Sequence, residues 1–572
     1  MYHSASICET PRRGLRIANC GYIDSENPAF IVSPLARDIS QLSIRNTQYA
    51  ILDHICVNIR GVMKVLASRF RANPRQAFFW LTVCAAAGVA MLFLFDDSCQ
   101  QDGGQHYLFA RQAWVHHELF VGVWSRPLFT SVYAFPALIG YRAARTLTVL
   151  ICLAISYQTW RLAEDLRIDR APLAIALLWL QPSFFLFCAD NMTEPIFALV
   201  YVVALRLHHR GRLKEGMIVA SLMILARPEG FFLGVLWGGW VLTDICRDGA
   251  TRRRGDEATG RWEGKSLDPS CRPVAPAPRR PLSLLLLATG AFAWWLAALA
   301  ITGDPLFIKH NWPTDWPMTG TIYGAAGLYT YPIRLPEIVG LFLLPLFFYG
   351  LFHLLKNRRL YTLTSSFLLL FVLHTILRAY GLLGSAGYPR YLVAISPAIA
   401  LITLTGWNEM AKLFACASRA FKTAGAGLVI AVSALTNFAY ADGAEWSRDA
   451  RAISAVHSWF QSQPAKPPIS RLIWSQTYSC ILFDRDPWEN PGFTRDREAD
   501  LKTLRESPAG TMAVWDELVG PNRAGLRAKD FEVAGFVRLH AESFMLKGYF
   551  LESSLLGYGG PRAQTIYLLY KK

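Results

Sequence analysis

Long, almost purely apolar blocks recur along this sequence, separated by short polar loops, and they constrain the fold more than any other feature. A bilayer core is crossed by about 20 apolar helical residues. Many stretches here meet that test, and no single water-soluble core absorbs so many segments that are apolar all round. Composition agrees: 53% of the 572 residues are hydrophobic and 17% are charged, against about 25% charged in soluble domains. The chain reads as an α-helical polytopic membrane protein with about eleven spans.

The spans are expected at 77–95, 142–162, 171–188, 195–209, 216–226, 231–246, 282–301, 337–355, 360–379, 391–407 and 424–440. Arg69, Arg71 and Arg75 precede the first span and Asp96 and Asp97 follow it, which places the N-terminus in the cytoplasm. Arg210, Arg212, Lys214, Arg252 to Arg254, Lys356, Arg358 and Arg359 then fall in inside loops. The external loop 96–141 contains pieces too short or too polar to span, and these read as helices lying at the interface. Residues 247–281 are basic and Pro-rich and read as a disordered cytoplasmic linker. Residues 1–76 are polar and unpatterned and read as a cytoplasmic segment. Within them Met63 opens an ordinary basic start just ahead of the first span, which suggests translation from there.

An odd number of spans leaves residues 441–572 outside. Their short apolar runs (RLIWSQ, TMAVWDEL, FEVAGFVRL, QTIYLLY) alternate with polar stretches and predict a small C-terminal α/β soluble domain. It contains no nucleophile or metal motif. The formal net charge of +16 does not point to nucleic acid, because the basic residues sit in short inside loops and no basic recognition helix is present. The eleven cysteines are scattered, with no C-x-x-C pair and no Cys/His metal spacing. Cys99 and Cys480 both fall outside, which admits a disulfide between them.

Ionisable groups at span ends are costly and mark functional candidates. The topology brings several to one face: Asp96, Asp97, Asp102 and His106 in the first loop, Glu194 after span three, Arg227 and Glu229 after span five, and His310 and Arg390 in later loops. A carboxylate beside an acceptor hydroxyl acts as a general base, and Arg and His hold a leaving phosphate. The set suits transfer of a group from a lipid phosphate to a hydroxyl at the membrane surface. The loop 302–336, aromatic and poor in charge, suits covering a sugar or a lipid tail. Bland readings stand beside these. Asp96 and Asp97 also fit the polar end of a span, His106 an interfacial side chain, and Glu194 an acid favoured by a helix N-terminus.

Four motifs, in order, resemble the GT-C glycosyltransferases. DGGQHYLFARQ at 102–112 is similar to their first-loop motif, in the version found in mannosyltransferase-like members, including those of GPI-anchor assembly. QPSFFLFCADNMTEPIFALVYVVAL at 181–205, ILARPEGFFLG at 224–234 and YPRYLVAISPAIALI at 388–402 resemble the following hairpins and the late Arg-Tyr-Leu span. The resemblance implies an inverting transferase that takes its sugar, mannose or a similar hexose or pentose, from a polyprenyl-phosphate carrier. Its site would face the periplasm of a bacterial inner membrane or a lumen, and its acceptor would be a glycan, lipid or protein. The family's catalytic Asp carries over to Asp102, which would deprotonate the acceptor. Arg227, His310 and Arg390 would hold the phosphate, with Glu194 and Glu229 orienting them or the sugar. Many members carry a second acid directly after the catalytic one. Here that position is Gly103, which puts the divalent metal used by some members in doubt, with Asp96, Asp97 and His106 as the remaining candidates.

Two other classes remain open at this stage. A transporter or lipid flippase predicts inverted repeats and helices broken at the midplane, neither of which the sequence displays. A non-catalytic scaffold with an outer binding domain predicts that Asp102 is dispensable.

Overall fold

The computed structural model describes residues 74–96, 99–259, 281–312, 325–416, 418–443, 445–490, 492–493, 496–518, 520–546 and 562–572. The expectations for residues 1–73, for Asp97, for the rest of the linker and for the middle of the loop 302–336 lie outside them. The chain divides into two compact units, Met1–Phe79 and Trp80–Lys572.

Among the described residues, six helical stretches combine the length and apolar character needed to cross a bilayer. They are Pro74–Leu94, Leu282–Thr302, Pro336–Lys356, Tyr361–Ala379, Pro389–Leu413 and Arg419–Ala441. The remaining expected spans are also helical but shorter, broken or charged at their ends. In chain order the first helices are α1 (Pro74–Leu94), α2 (Gln101–Gln112), α3 (Pro127–Ile139), α4 (Tyr141–Asp165), α5 (Leu173–Trp179), α6 (Pro182–Phe187), α7 (Thr193–His209), α8 (Leu213–Ser221), α9 (Met223–Ala226) and α10 (Gly230–Thr259). They continue as α11 (Thr289–Thr302), α12 (Leu344–Lys356), α13 (Tyr361–Ala379), α14 (Ser396–Leu413) and α15 (Arg419–Gly443). The protein is a multi-pass integral membrane protein.

Three details depart from expectation. First, α10 continues to Thr259, into the stretch expected to be disordered linker. Arg, Ala and Glu extend a helix at little cost once it is nucleated. Second, span three is broken between α5 and α6, where Pro182 removes a backbone donor and disfavours helix at Gln181. Side chains recapture carbonyls at the break and on the spans that face it: Asn437 donates to the Trp179 carbonyl at 2.9 Å, Gln181 to that of Ser396 at 3.0 Å and Ser183 to that of Glu337 at 2.7 Å. Such recapture is what permits irregular backbone at membrane depth. Third, span eight opens with a wide turn, Pro336–Gly340, ending at Gly340 with φ 102°. Broken helices, absent from the sequence reading, are therefore present.

Elsewhere the helices pack closely through small residues. Gly350 of α12 and Gly406 of α14 lie so near the opposite backbone (Ile402 and Leu346 carbonyls) that neither position has room for a Cβ.

The C-terminal segment begins with α16 (Glu445–Ser462) and forms a four-stranded sheet. The strands are β1 (Arg471–Trp474), β2 (Thr511–Asp516), β3 (Phe536–Leu546) and β4 (Arg562–Lys571), in the order β1-β2-β4-β3. β1 and β2 are parallel, and β4 runs antiparallel to β2 and β3. One core gathers Ile473, Leu504, Trp515, Phe531, Phe536 and Leu569, while α16 stacks Trp459 on His540 of β3, ring centroids 4.3 Å apart. Three of the four expected strand runs are strands. The fourth, FEVAGFVRL, is split: Ala528–Val533 is helical and the strand starts only at Phe536, after Gly535 at φ 92°. Cys99 and Cys480 are both free, buried thiols, so the disulfide that their shared face would admit is not formed.

Candidate active site

Helix α2 is set by its first turn. Gln100 caps it, its side chain accepting from the Gly103 N–H at 3.0 Å. A Cβ on Gly103 would lie 2.5 Å from Asp190 Oδ1, and one on Gly104 would lie 2.7 Å from Cys99 Sγ. Gly103 thus lets the helix start press against the loop between α6 and α7, and Gly104 lets it close on Cys99. Asp102 occupies the first turn, where the helix dipole favours a negative charge.

Asp102 forms an ion pair with Arg390, whose side chain is buried. Arg390 lies in the 3₁₀ turn Pro389–Ile395 that opens span ten. From there a chain of alternating charges runs inward. Arg390 Nε is 3.5 Å from Glu194, and Glu194, fully buried in the first turn of α7, is 2.7 Å from Arg227 Nη1. Arg227 also donates to Thr193 Oγ1 at 3.0 Å and clasps Glu229 through Nε and Nη2 at 3.2 and 2.9 Å. His374 of α13 lies 3.9 Å beyond, against Glu229. Tyr391 lies between the two arginines, its ring centroid 5.2 Å from Arg227 and 5.6 Å from Arg390. Tyr388 lies 4.8 Å from Arg390. The sequence supplied Asp102, Glu194, Arg227, Glu229 and Arg390 from four separate segments, and the fold joins all five residues.

Arg126, not among the candidates drawn from the sequence, adds a third buried cation. It donates to the Val123 carbonyl at 3.1 Å, and its guanidinium lies 5.3 Å from the Trp124 ring. Burial and the neighbouring Arg227 push its pKa down to about 10. Arg126 has φ 61° directly before Pro127. A backbone there is strained for a non-glycine residue and marks a functional constraint. The signal in the sequence was the Arg-Pro step opening α3, which alone specifies no partner.

Asp190, four residues before Glu194 in the same loop, was also missed. It accepts from the Gln100 N–H at 3.1 Å and the Asn191 N–H at 2.8 Å. Burial raises its carboxyl to about 6, against the pull of Arg145. Its carboxylate fills the space that a side chain at position 103 would need. Glu229 behaves oppositely. Burial pushes it up, but Arg227 and His374 outweigh that and hold it down to about 2. The same two carboxylates, Glu194 and Glu229, keep Arg227 above its ordinary value despite the cost of burial.

The other expected site residues lie elsewhere or play a different part. Asp96 pairs with Arg142 and lies 3.9 Å from Arg145, whose guanidinium also caps the end of span one through the Phe95 carbonyl at 2.9 Å. His310 pairs with Asp304 at 2.7 Å on an exposed surface and is not brought into the charge chain. His106 is buried among Trp124, Phe129 and Phe109. Burial and Arg126 lower its pKa to about 3. Among the described residues no three His, Cys, Asp or Glu side chains converge as metal ligands.

No protein-family profile and no curated protein matches the sequence. Solved structures do. ArnT from Cupriavidus metallidurans bound to undecaprenyl phosphate matches at TM-score 0.51 and 14% identity, covering 85% of this chain and 98% of that one. The apo state of the same protein matches at TM-score 0.52 and 14% identity, covering 86% and 98%. The chain therefore shares the fold of ArnT from Cupriavidus metallidurans, with a small C-terminal four-stranded sheet.

Proposed function

We propose that this protein is a membrane glycosyltransferase that moves a sugar from a polyprenyl-phosphate carrier to a hydroxyl acceptor, with inversion. The observation that carries the reading is the Asp102–Arg390 pair at the head of a buried arginine chain. The match to a structure holding undecaprenyl phosphate agrees with it.

In this reading the acceptor O–H gives its proton to the Asp102 carboxylate while its oxygen attacks the anomeric carbon. The bond from that carbon to the phosphate oxygen breaks on the opposite face, and the polyprenyl phosphate leaves with the electron pair. Single displacement inverts the anomeric centre. Arg390, and Arg227 behind it, neutralise the charge that builds on the phosphate. A preorganised donor of that kind is worth about 3 kcal/mol at the transition state. Asp102 is the most exposed member of the chain, with 30% of its side chain accessible, so an incoming phosphate can take over the Arg390 fork and free the carboxylate.

The sugar is mannose or a similar hexose or pentose, and the acceptor a glycan, lipid or protein. The site faces the periplasm of a bacterial inner membrane, with the N-terminus cytoplasmic and residues 441–572 on the same face as the site. The broken spans three and eight raise a transporter as the second reading. Against it, Asp102, Glu194, Arg227 and Arg390 all lie at helix ends rather than at a midplane.

The test uses the full-length protein in proteoliposomes with polyprenyl-phosphate mannose and the corresponding pentose donor. The reading expects a new glycoside and free polyprenyl phosphate in equal amounts. Carrier movement across the bilayer without cleavage would instead support the transporter.

A further inference from the structure

Helix α2 carries Asp102 but does little to hold itself in place. Twelve residues are too few for a stable isolated helix, and Gly103 and Gly104 weaken its first turn. Its position is therefore set by what packs on it. On one side that is the Asp190 loop. On the other it is the outer domain.

Three points of the outer domain grip α2 along its length. At the first turn, a Cβ on Gly104 would lie 3.5 Å from Ile481 and 3.8 Å from Thr477. Near the end of the helix, Phe109 packs on Trp488 with centroids 5.8 Å apart, and Arg111 Nη2 meets Asp484 Oδ1 at 2.6 Å. Just past the helix, His116 stacks on Trp488 at 4.9 Å and lies 3.8 Å from Asp486. The gripping segment is itself tied to the sheet. Asn490 accepts from the Leu472 N–H at 2.7 Å through its side chain and from the Trp474 indole at 2.6 Å through its carbonyl. Asn490 also donates to the Asp486 carbonyl at 2.9 Å, and Arg485 donates to Ile469 at 2.9 Å. A rigid path thus runs from β1 through residues 484–490 to α2.

We propose that Asp484 and Trp488 are positioning residues for the transfer reaction: the outer domain holds α2 in the pose that sets Asp102 against Arg390. The proposal rests on the transferase reading above. It assigns the outer domain a direct part in catalysis, because a displacement of about 1 Å in a reacting group costs up to a hundredfold in rate.

The test measures two things on the full-length protein in proteoliposomes: steady-state transfer from polyprenyl-phosphate mannose, and hydrogen–deuterium exchange of residues 101–112, β2 and β4. Trp488→Ala should lower kcat on the order of tenfold, leave KM for the lipid within about twofold, and speed exchange in 101–112 while β2 and β4 stay protected. Trp488→Phe should restore most of kcat. Asp484→Arg should lower kcat, and adding Arg111→Asp should recover it. Normal kcat with a loosened α2 would reduce the contact to mere packing and overturn the proposal, as would unchanged exchange in α2. If the unaltered protein transfers no sugar, the transferase reading fails, and the exchange result alone decides whether the outer domain holds α2.

Discussion

Asp102 and Arg390 meet in a direct ion pair although 288 positions separate them in the chain. The first belongs to a helix in the loop after span one, the second to the turn that opens span ten. Their meeting turns a set of span-end charges into one connected network. It also leaves Arg390 shared between an accessible carboxylate and a buried one, Glu194.

Arg227 lies at the centre of that network. Arg227→Ala leaves Glu194 and Glu229 buried without their shared cation, and it should destabilise the protein by about 3–5 kcal/mol. Arg227→Lys keeps the charge but loses the two-pronged clasp on Glu229, and it should fall between wild type and Ala. Thermal unfolding in detergent reads both. Equal stability of all three proteins would contradict the network.

The two buried loop carboxylates should give opposite pH dependences. Asp190 is raised to about 6, so the stability it contributes is present below pH 4 and is lost as pH rises towards 6. The loss is on the order of 3 kcal/mol. Asp190→Asn should flatten unfolding free energy across that window. Glu229 is lowered to about 2, so its contribution is present above pH 4.5 and is lost as pH falls towards 2. Glu229→Gln should remove that acid-side loss and leave the pH 4–6 window as in wild type.

Gly103→Ala places a methyl 2.5 Å from the Asp190 carboxylate. Either α2 or the Asp190 loop must shift, at a cost of about 1–3 kcal/mol, and sugar transfer should fall with it. Ala at both 103 and 190 removes the clash, and its folding stability should lie closer to wild type than that of the single variant. Melting curves of the two proteins decide the point.

His310 gives the contrast. It sits in an exposed pair with Asp304, so His310→Ala should change stability by less than about 0.5 kcal/mol and leave KM for the lipid donor unaltered. A rise in KM would return it to the phosphate site.

The sequence showed which charges matter where chemistry forces the issue. An acid or an arginine at the end of an apolar span is costly, and Asp102, Glu194, Arg227, Glu229 and Arg390 were all visible on that ground. It could not show partners, because pairing depends on how spans pack. His374 looks like one polar residue in an apolar helix, yet it lies beside Glu229 and stacks on Tyr391. Asp190 was one of two acids in a short loop until the missing side chain at Gly103 gave it a place. Pro182 and Gly340 account locally for the breaks in spans three and eight, which the sequence reading did not anticipate. Their tolerance at membrane depth was not readable either, since it rests on Asn437, Ser183 and Gln181 reaching carbonyls on other helices.

The most direct test of the account is Asp102→Asn in proteoliposomes supplied with polyprenyl-phosphate mannose. The amide is nearly the same shape but accepts no proton. Transfer should fall by about 10²–10⁴-fold, while α2 stays folded and undecaprenyl phosphate still binds, since Arg390 no longer faces a competing carboxylate. Undiminished transfer by that variant would contradict the role of Asp102.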